Sequence, residues 1–169
     1  MHIDLSDIQQ IVHVIDTDCG FVDSLYIKYD DSVDRIAYTN DFILSKNPSL
    51  TLKRNKEKTE KVNFLKNREY LKFKSEENLS IPYQLYFFSR NREHALQNES
   101  RELSRNEKTD MAFDFAIKFQ GREKDFITLV NDSIIKVPGT FQQTWSFIQK
   151  NNNSLHCYSN FHILFNDVK

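Results

Sequence analysis

Glycine is scarce in this sequence, and its scarcity limits which folds and which ligand sites the chain can form. The three glycines, Gly20, Gly121 and Gly139, stand singly and far apart. A phosphate-binding loop or a dinucleotide-binding turn needs several glycines together, because only then can the backbone approach the phosphates closely. The sequence therefore lacks the nucleotide-cradling loops of doubly wound folds and favours an antiparallel sheet with turns built on Asp, Asn and Pro.

Motifs of several other enzyme and metalloprotein classes are missing as well. The sequence contains no Gly-x-Ser-x-Gly nucleophile elbow, no His-Glu-x-x-His and no paired Cys-x-x-Cys. Cys19 and Cys157 lie far apart in the sequence, and we expect both to be free thiols in a reducing compartment. On these grounds we predict no cofactor and name no catalytic residue.

Length and hydropathy place the chain among soluble domains. Its 169 residues suit one domain spanning 1–169, and a 13% share of aromatic residues predicts a core of large flat side chains. No apolar run approaches the ~18 residues that a membrane-spanning helix needs. The N-terminal residues lack the basic start and apolar stretch of a signal peptide. We therefore expect a cytoplasmic protein that does not engage a membrane.

Apolar periodicity in the first half mixes helical and strand patterns. Residues 5–15 follow helical spacing after a capping-box sequence at Ser6 and Gln9, although a strand also fits 11–15. Residues 21–29 alternate as in a strand, and a partner strand could begin at 36–38. The polar stretch 46–61 is interpreted as an excursion or an exposed hairpin.

The middle of the chain contains the strongest strand pattern. Residues 71–73 alternate like a half-exposed strand. Residues 81–88 are apolar on both faces, which predicts a central strand covered on both sides, with Pro82 at its start because proline cannot donate to the ladder. The polar stretch 89–110 fits either an exposed helix or a loop.

The last third predicts three further strands, one helix and a final strand. Alternation favours strands at 113–119, 126–130 and 134–137, and Thr140-x-x-Gln143 predicts the start of a helix. A last strand is expected at 155–165. Together these patterns predict an α+β single domain, with a mainly antiparallel sheet of about six strands, an N-terminal helix and a helix near the C-terminus.

Charge is distributed unevenly along the chain. Residues 1–52 carry nine Asp against three basic residues, a net charge of −6, whereas residues 53–108 have a net charge of +5. Such asymmetry indicates two faces of opposite sign or a solvated surface without a partner. If the acidic third binds a partner, its candidate contact residues are aspartates: Asp16, Asp18, Asp23, Asp30, Asp31 and Asp34.

One acidic stretch has the form of a metal-binding turn. Ile15-Asp16-Thr17-Asp18-Cys19-Gly20-Phe21-Val22-Asp23 resembles the calcium-binding opening of nucleoside hydrolases, a strand followed by Asp-Thr-Asp-x-Gly-x-Asp-Asp. The resemblance implies Asp16, Asp18 and Asp23 as carboxylate ligands of Ca²⁺. It covers nine residues, Val22 replaces an aspartate of the family pattern, and the chain is far shorter than that family's domain. The competing interpretation is an acidic turn that ends the first helix.

Nucleic acid is the less suitable partner for this composition. The basic segment 53–108 interleaves Lys and Arg with Phe64, Tyr70 and Phe73, a combination that can grip single strands. Nine glutamates share that segment, however, and the isoelectric point of about 6.5 is not basic. A nucleic-acid-binding accessory protein is therefore only our second alternative.

Absence of catalytic motifs together with an acidic first third favours a protein-binding role. Our leading hypothesis is a bacterial immunity or antitoxin-type inhibitor, which neutralises a basic toxin such as a nuclease through charge complementarity. The first alternative is a small hydrolase or ribonuclease that uses the turn at Asp16, Asp18 and Asp23 as a metal site.

Overall fold

Two small sheets and five α-helices make up the described part of the chain. The computed structural model describes residues 4–73, 79–99 and 103–166. Within these ranges no helix is both long enough and apolar enough to cross a membrane. In chain order the strands and α-helices are β1 (Ile11–Asp16), β2 (Ile27–Tyr29), β3 (Ala37–Tyr38), β4 (Ile43–Ser45), α1 (Pro48–Leu65), β5 (Tyr70–Lys72), β6 (Ser80–Phe88), α2 (Arg92–Gln97), α3 (Arg105–Phe119), α4 (Glu123–Val130) and α5 (Phe141–Ile148).

The strands form two mixed sheets of three strands each. In the first sheet, ordered β1-β6-β5, β1 runs parallel to β6 and β5 runs antiparallel to it. In the second sheet, ordered β2-β4-β3, β2 is parallel to β4 and β3 antiparallel. The expected α+β class is confirmed, whereas the mainly antiparallel sheet of about six strands is wrong. The strand predicted at 36–38 exists as β3, but β4 separates it from β2.

Strand β6 is the central strand that the sequence predicts, and it is covered on both faces. On one face Tyr83, Leu85 and Phe87 pack in a core cluster with Trp145 and Ile148 of α5. Pro82 lies near the start of the strand, as expected, where it faces β5 in the antiparallel register. The half-exposed strand expected at 71–73 is also confirmed as β5.

The opposite face of β6 is covered by aromatic side chains from the C-terminal third. The ring centroids of Tyr86 and Phe161 lie 5.7 Å apart, and those of Phe88 and Phe161 lie 6.1 Å apart, both in edge-to-face geometry. Such pairs add about 0.5–1.5 kcal/mol to the stabilisation that burial supplies. The high aromatic content therefore forms a double-sided core around one strand.

The predicted N-terminal helix over 5–15 is wrong. A single 3-10 turn at Leu5–Asp7 is capped by Asp4 rather than by Ser6, and the chain then enters β1. Burial alternates along β1 because every second side chain, as at Ile11 and Ile15, lies on the sheet face that packs in the core cluster with Trp145 and Ile148. The β-branched residues at 11–15 thus follow their propensity for strands. The strand at 11–15, expected as the alternative to a helix, is the correct interpretation.

Helix α1 replaces the exposed hairpin predicted at 46–61. Asn47 caps its N-terminus through its side chain, and Pro48 occupies the first turn, a favourable position for proline. The first half of the face turned inward is polar: the Thr51 hydroxyl donates to Ser45 Oγ at 2.8 Å, and Asn55 Nδ2 donates to the Cys19 carbonyl at 3.4 Å. Val62, near the end of the helix, packs in the main core cluster. Hydrophobic periodicity could not reveal a helix that docks through hydroxyl and amide groups.

Helices α3 and α4 lie where strands were predicted at 113–119 and 126–130. Phe115 and Phe119 are four residues apart, so they share one helix face, and their rings meet Phe126 of α4 at 6.1 and 5.6 Å. Apolar residues that alternate over a short run are compatible with a strand and also with a helix that has apolar residues on two faces. The alternation therefore predicted strands where the chain forms helices. The deciding signal is the capping box formed by Ser104 and Glu107.

The C-terminal third contains one correct helix and two incorrect strands. Helix α5 begins at the predicted capping box of Thr140 and Gln143. Residues 134–137 form only an isolated bridge between Lys136 and Ser159, and the predicted strand 155–165 is mainly two 3-10 turns, Asn153–Leu155 and Phe161–Phe165. The segment 89–110 contains α2 and the start of α3, and residues 100–102 lie outside the described ranges.

Stability should depend on the core face of β6. Replacing the fully buried Leu85 by Ala should lower the free energy of unfolding by about 2–5 kcal/mol, because it leaves a cavity in the core. The matched control is Leu50→Ala on the exposed side of α1, which should change it by less than about 0.5 kcal/mol. Urea denaturation of both variants measures the difference, and equal effects would contradict this assignment of the core.

Candidate functional site

The carboxyl ends of β1 and β6 meet at one edge of the first sheet, because the two strands are parallel. The turn after β1 is fixed to the chain leaving β6 by three backbone hydrogen bonds. Thr17 N–H donates to the Phe88 carbonyl at 2.8 Å, Asp18 N–H to Arg90 at 3.0 Å and Cys19 N–H to Ser89 at 3.1 Å. This edge is where parallel strands place side chains for binding or chemistry.

Helix α1 holds the same turn from its other side. Lys58 forms an ion pair with Asp18, and the Thr59 hydroxyl donates to the Gly20 carbonyl at 2.6 Å. Asp18 and Cys19 both adopt left-handed backbone conformations, with φ of 46° and 57°. Residues other than glycine occupy this region at an energetic cost, so the surrounding hydrogen bonds must maintain the turn. The acidic turn expected here is present, but it ends a strand and not a helix.

Asp16 is the most perturbed carboxylate at this edge. Its Oδ1 accepts the Arg92 N–H at 2.9 Å where α2 begins. Burial raises the pKa of Asp16 to about 6, with further increases from the negative charges of Asp18 and Glu93, while Lys58 acts in the opposite direction. A carboxyl with this pKa exchanges its proton near neutral pH, so Asp16 could act as a proton donor or acceptor.

Two charged residues of α2 complete the cluster that we call the inner charged cluster, which consists of Asp16, Asp18, Lys58, Arg92 and Glu93. Glu93 is buried, and its Oε1 accepts from the Arg92 guanidinium at 2.8 Å. Sequence reasoning missed Lys58, Arg92 and Glu93 as members. Their approach to Asp16 depends on the parallel register of β1 with β6 and on the docking of α1, which no local pattern shows.

Arg90 has a structural role, because its guanidinium is hydrogen-bonded to several segments of the chain and is not free to bind a ligand. Its side chain is 2% exposed, and it donates to the carbonyls of Leu155 and Thr39 and to Asn40 Oδ1. A guanidinium nitrogen also lies 3.1 Å from His94 Nε2, and burial together with Arg90 lowers the pKa of His94. Arg90 therefore joins residues 39–40, residue 155 and helix α2.

The remaining histidine near the turn is also engaged in the core. Nδ1 of His13 lies 2.8 Å from the hydroxyl of Tyr83 on the neighbouring strand. Their rings meet edge to face at 6.0 Å. The contacts of His13 are thus with β6 rather than with the acidic turn.

The other four candidate aspartates lie outside the inner charged cluster. Asp23 caps the 3-10 turn Ser24–Tyr26 by accepting the Leu25 N–H at 2.9 Å. Asp30 accepts from the Ser32 N–H and hydroxyl, which lowers its pKa. Asp31 and Asp34 are exposed, and Asp34 approaches Lys46 at 3.4 Å.

The carboxylates of the predicted calcium turn have different partners. Asp16 accepts from α2, Asp18 pairs with α1 and Asp23 caps its own turn. Across the described ranges, no group of three or more His, Cys, Asp or Glu side chains is arranged to hold a metal ion. The arrangement therefore gives the metal-dependent alternative no geometric support.

Exposed apolar side chains accompany the outer aspartates. Leu25 is 73% exposed and Tyr29 is 67% exposed, on the segment between Asp23 and Asp30. Strand β2, which carries Tyr29, is an edge strand of the second sheet. We use the name acidic face for the exposed side of the segment 23–34 and define it by the side chains of six residues: Asp23, Leu25, Tyr29, Asp30, Asp31 and Asp34.

A cleft adjoins the acidic face at Asp23. Its volume is about 720 Å³, and it lies between residues 20–24, α1 and residues 149–152. Most of its polar lining is uncharged amide and hydroxyl groups, and its charged residues are Asp23, Glu60 and Lys56. The excess of carboxylates and neutral acceptors suits a cationic group better than an anionic one.

No protein-family model, no curated protein and no solved structure matches this chain. Its function therefore has to be inferred from its own side chains. Two regions offer chemistry: the inner charged cluster, where a carboxyl titrates near neutral pH, and the acidic face, where apolar anchors stand among carboxylates.

The raised pKa of Asp16 predicts a specific pH dependence of stability. The folded state retains the proton up to about pH 6, whereas the ordinary pKa is 3.8, so folding binds protons and stability falls as the pH rises between these values. The Asp16→Asn variant should lack this pH dependence of stability, because the amide does not titrate, while its oxygen can still accept the Arg92 N–H. Relative to the variant, the wild type should lose about 2–3 kcal/mol of unfolding free energy across this window.

Chemical denaturation at a series of pH values measures the effect. The control is Asp31→Asn on the exposed surface, whose stability should follow that of the wild type at each pH. A constant difference between the wild type and Asp16→Asn from pH 4 to pH 7, about the range set by the two pKa values, would contradict the prediction.

Proposed function

We propose that this domain is a non-catalytic binding protein that captures a basic protein through the acidic face. In its most specific form, the proposal is a bacterial immunity or antitoxin-type inhibitor that neutralises a basic toxin, such as a nuclease. The observation that carries it is the exposure of Leu25 and Tyr29 among four carboxylates. Large exposed side chains are the usual anchors of protein interfaces, and surrounding charges select the partner.

The charge of the acidic face supports a cationic partner. Residues 23–34 contain four Asp and one basic residue, Lys28, a net charge of −3. Lys28 Nζ lies 5.4 Å from the centroid of the Phe42 ring, so its charge is close to an aromatic face. A nuclease is basic because its substrate is polyanionic, and long-range attraction would accelerate its association with this surface.

The neighbouring cleft supports the same kind of partner. Asp23 belongs both to the acidic face and to the lining of the 720 Å³ cleft. A Lys or Arg side chain of a partner bound on the acidic face could enter this cleft and meet carboxylate and amide oxygens. An inserted cation of this kind would add specificity to the general charge attraction.

The test is capture of the partner by variants of equal net charge. The immobilised chain should retain a basic protein from a lysate of its native host, and salt should weaken that retention because the association is electrostatic. Asp31→Lys combined with Asp34→Lys should reduce the affinity by about tenfold or more, since each exposed charge contributes up to ~1 kcal/mol. These two positions leave the Asp30 hydrogen bonds intact.

The matched control places the same charge change on another surface. Asp110→Lys combined with Asp114→Lys reverses two exposed charges on α3 and should leave binding unchanged. Leu25→Ala, compared with Ile134→Ala at another highly exposed position, tests the apolar anchor. The proposal fails if no basic protein is retained, or if both pairs of charge reversals weaken the retention equally.

The inner charged cluster favours a second candidate function, a small hydrolase or ribonuclease. The specific observation is a carboxyl with a pKa of about 6 that feels the positive charge of Lys58 and accepts the backbone N–H of Arg92, at the carboxyl edge of parallel strands. Such perturbed groups concentrate at catalytic sites, where they transfer protons near neutral pH. In this candidate Asp16 is the general acid or base, and the cations attract a phosphodiester.

Cleavage of single-stranded RNA and of bis-p-nitrophenyl phosphate tests the second candidate. Activity should change with pH around 6, and Asp16→Asn should reduce it by a factor of about 100 or more, the usual contribution of general acid–base catalysis. Asp110→Asn on the exposed side of α3 serves as the control. Absence of turnover with Mg²⁺, Ca²⁺ and EDTA, or equal turnover by the two variants, would exclude this role.

A further inference from the structure

A second cavity lies at the opposite end of the first sheet, beside the starts of β1 and β6, where α1 ends and α5 packs on β6. It has a volume of about 580 Å³, within the range of about 300–1,000 Å³ that small-molecule sites occupy. None of the residues of the inner charged cluster or the acidic face contributes to its lining. We call it the Trp145 cavity and define it by six of its lining residues: Lys66, Arg68, Tyr83, Phe141, Gln142 and Trp145.

Aromatic rings form much of the apolar wall of this cavity. Trp145 is 3% exposed, and its ring meets that of Phe141 at 6.4 Å in edge-to-face geometry. Tyr83 is anchored from behind by the contact of its hydroxyl with His13. Because Trp145 and Tyr83 are almost fully buried, the partly exposed ring of Phe141 is the part of this wall that offers a planar ligand a preformed surface at little entropic cost.

The lining carries an uncompensated positive charge. Nζ of Lys66 lies 6.0 Å from the centroid of the Trp145 ring, and burial lowers the pKa of Lys66. In the described part of the chain no carboxylate forms an ion pair with Lys66. Arg68 adds a second cation, held 4.2 Å over the ring of Phe64, while Glu69 is the acidic residue of the lining. A partly desolvated lysine without a counter-ion favours an anion beside it.

One of the residues that line the cavity carries a buried donor. Nε1 of Trp145 is buried and has no hydrogen-bond acceptor among the described residues. Buried indole N–H groups normally find a partner, because an unsatisfied donor costs about 1–3 kcal/mol. Gln84 and Gln142 contribute amide groups to the same lining.

We propose that the Trp145 cavity binds a planar organic anion, an aromatic ring that carries a phosphate or a carboxylate group. The ring packs against the aromatic wall of Trp145 and Phe141, and the anionic group pairs with Lys66 and Arg68. Neither the acidic face nor the inner charged cluster is needed for this site, so it can be tested independently of the proposed function.

Fluorescence of Trp145 reports binding directly, because it is the single tryptophan of the sequence. The probes are adenosine 5′-monophosphate and benzoate as ring-bearing anions, adenosine as a ring without charge, and inorganic phosphate as a charge without a ring. At least one ring-bearing anion should change the emission saturably with a dissociation constant in the millimolar range or below. Adenosine and phosphate should bind about tenfold more weakly or worse, since a hydrogen bond to a charged group contributes about 1.5–3 kcal/mol.

Lys66→Gln is the decisive variant, and Lys61→Gln, at an exposed position of α1, is its matched control. Lys66→Gln should weaken binding of the ring-bearing anion about tenfold, whereas Lys61→Gln should bind like the wild type. Thermal unfolding of both variants verifies that the fold is retained, and Arg68→Gln provides a second test at an exposed residue. A preference for the monophosphate or for benzoate identifies phosphate or carboxylate as the recognised group.

Three results would overturn the proposal. The first is the absence of a saturable change with either ring-bearing anion. The second is equal affinity for adenosine or for inorganic phosphate, which would remove the requirement for a combined ring and charge. The third is unchanged affinity in Lys66→Gln, whatever the result for Arg68→Gln.

Discussion

The rest of the structure depends on how the four residues after β1, 17–20, are held. The backbone N–H groups of residues 17–19 donate to the chain leaving β6, and the Gly20 N–H donates to the Thr17 carbonyl. The carbonyls of Cys19 and Gly20 and the Asp18 carboxylate bind α1. This one turn therefore connects the first sheet to the helix that also packs on the second sheet. Because Asp18 and Cys19 adopt left-handed backbone conformations, the turn would relax if these bonds were lost. Polar groups thus perform a joining role that apolar packing usually performs in domains of this size.

The same arrangement separates the candidate aspartates into two chemical classes. Asp16 precedes the fixed turn and Asp18 belongs to it, so both lie close to α1 and α2. Burial raises the pKa of Asp16, and Asp18 forms an ion pair with Lys58. The aspartates from Asp23 to Asp34 interact instead with nearby serines, backbone N–H groups, Lys46 or solvent. A continuous acidic stretch in sequence consequently becomes one interior cluster and one exterior face. Only the exterior face has the exposure that recognition of another protein requires.

Elements whose sequence pattern reflects apolar packing could be predicted, and elements that dock through polar groups could not. Strand β6 carries aromatic residues on both faces, and α5 combines a capping box with apolar residues on one side, so both were recognisable. Helix α1 buries the polar residues Thr51 and Asn55 on the first half of its inner face, and its one fully buried apolar residue is Val62, so the apolar stripe is too sparse to detect. In α3 the phenylalanines alternate, yet Phe115 and Phe119 pair through helical spacing. The caps at Asn47 and Ser104 were the informative signals, because capping depends on local chemistry and not on burial.

The candidate sites were even harder to predict from the sequence than the helices and strands. Asp16 and Asp18 were visible as a motif, but their charged partners come from segments about 40 and 75 residues away, brought together by a parallel strand pair that cannot be read from local sequence. The Trp145 cavity likewise requires the end of α1 and one face of α5 to meet beside β6. Each site contains a lysine, Lys58 or Lys66, that is positioned by α1, a helix whose sequence shows almost no apolar periodicity. The polar docking of α1 therefore determines both the electrostatics of the inner charged cluster, through Lys58, and the charge at the Trp145 cavity, through Lys66.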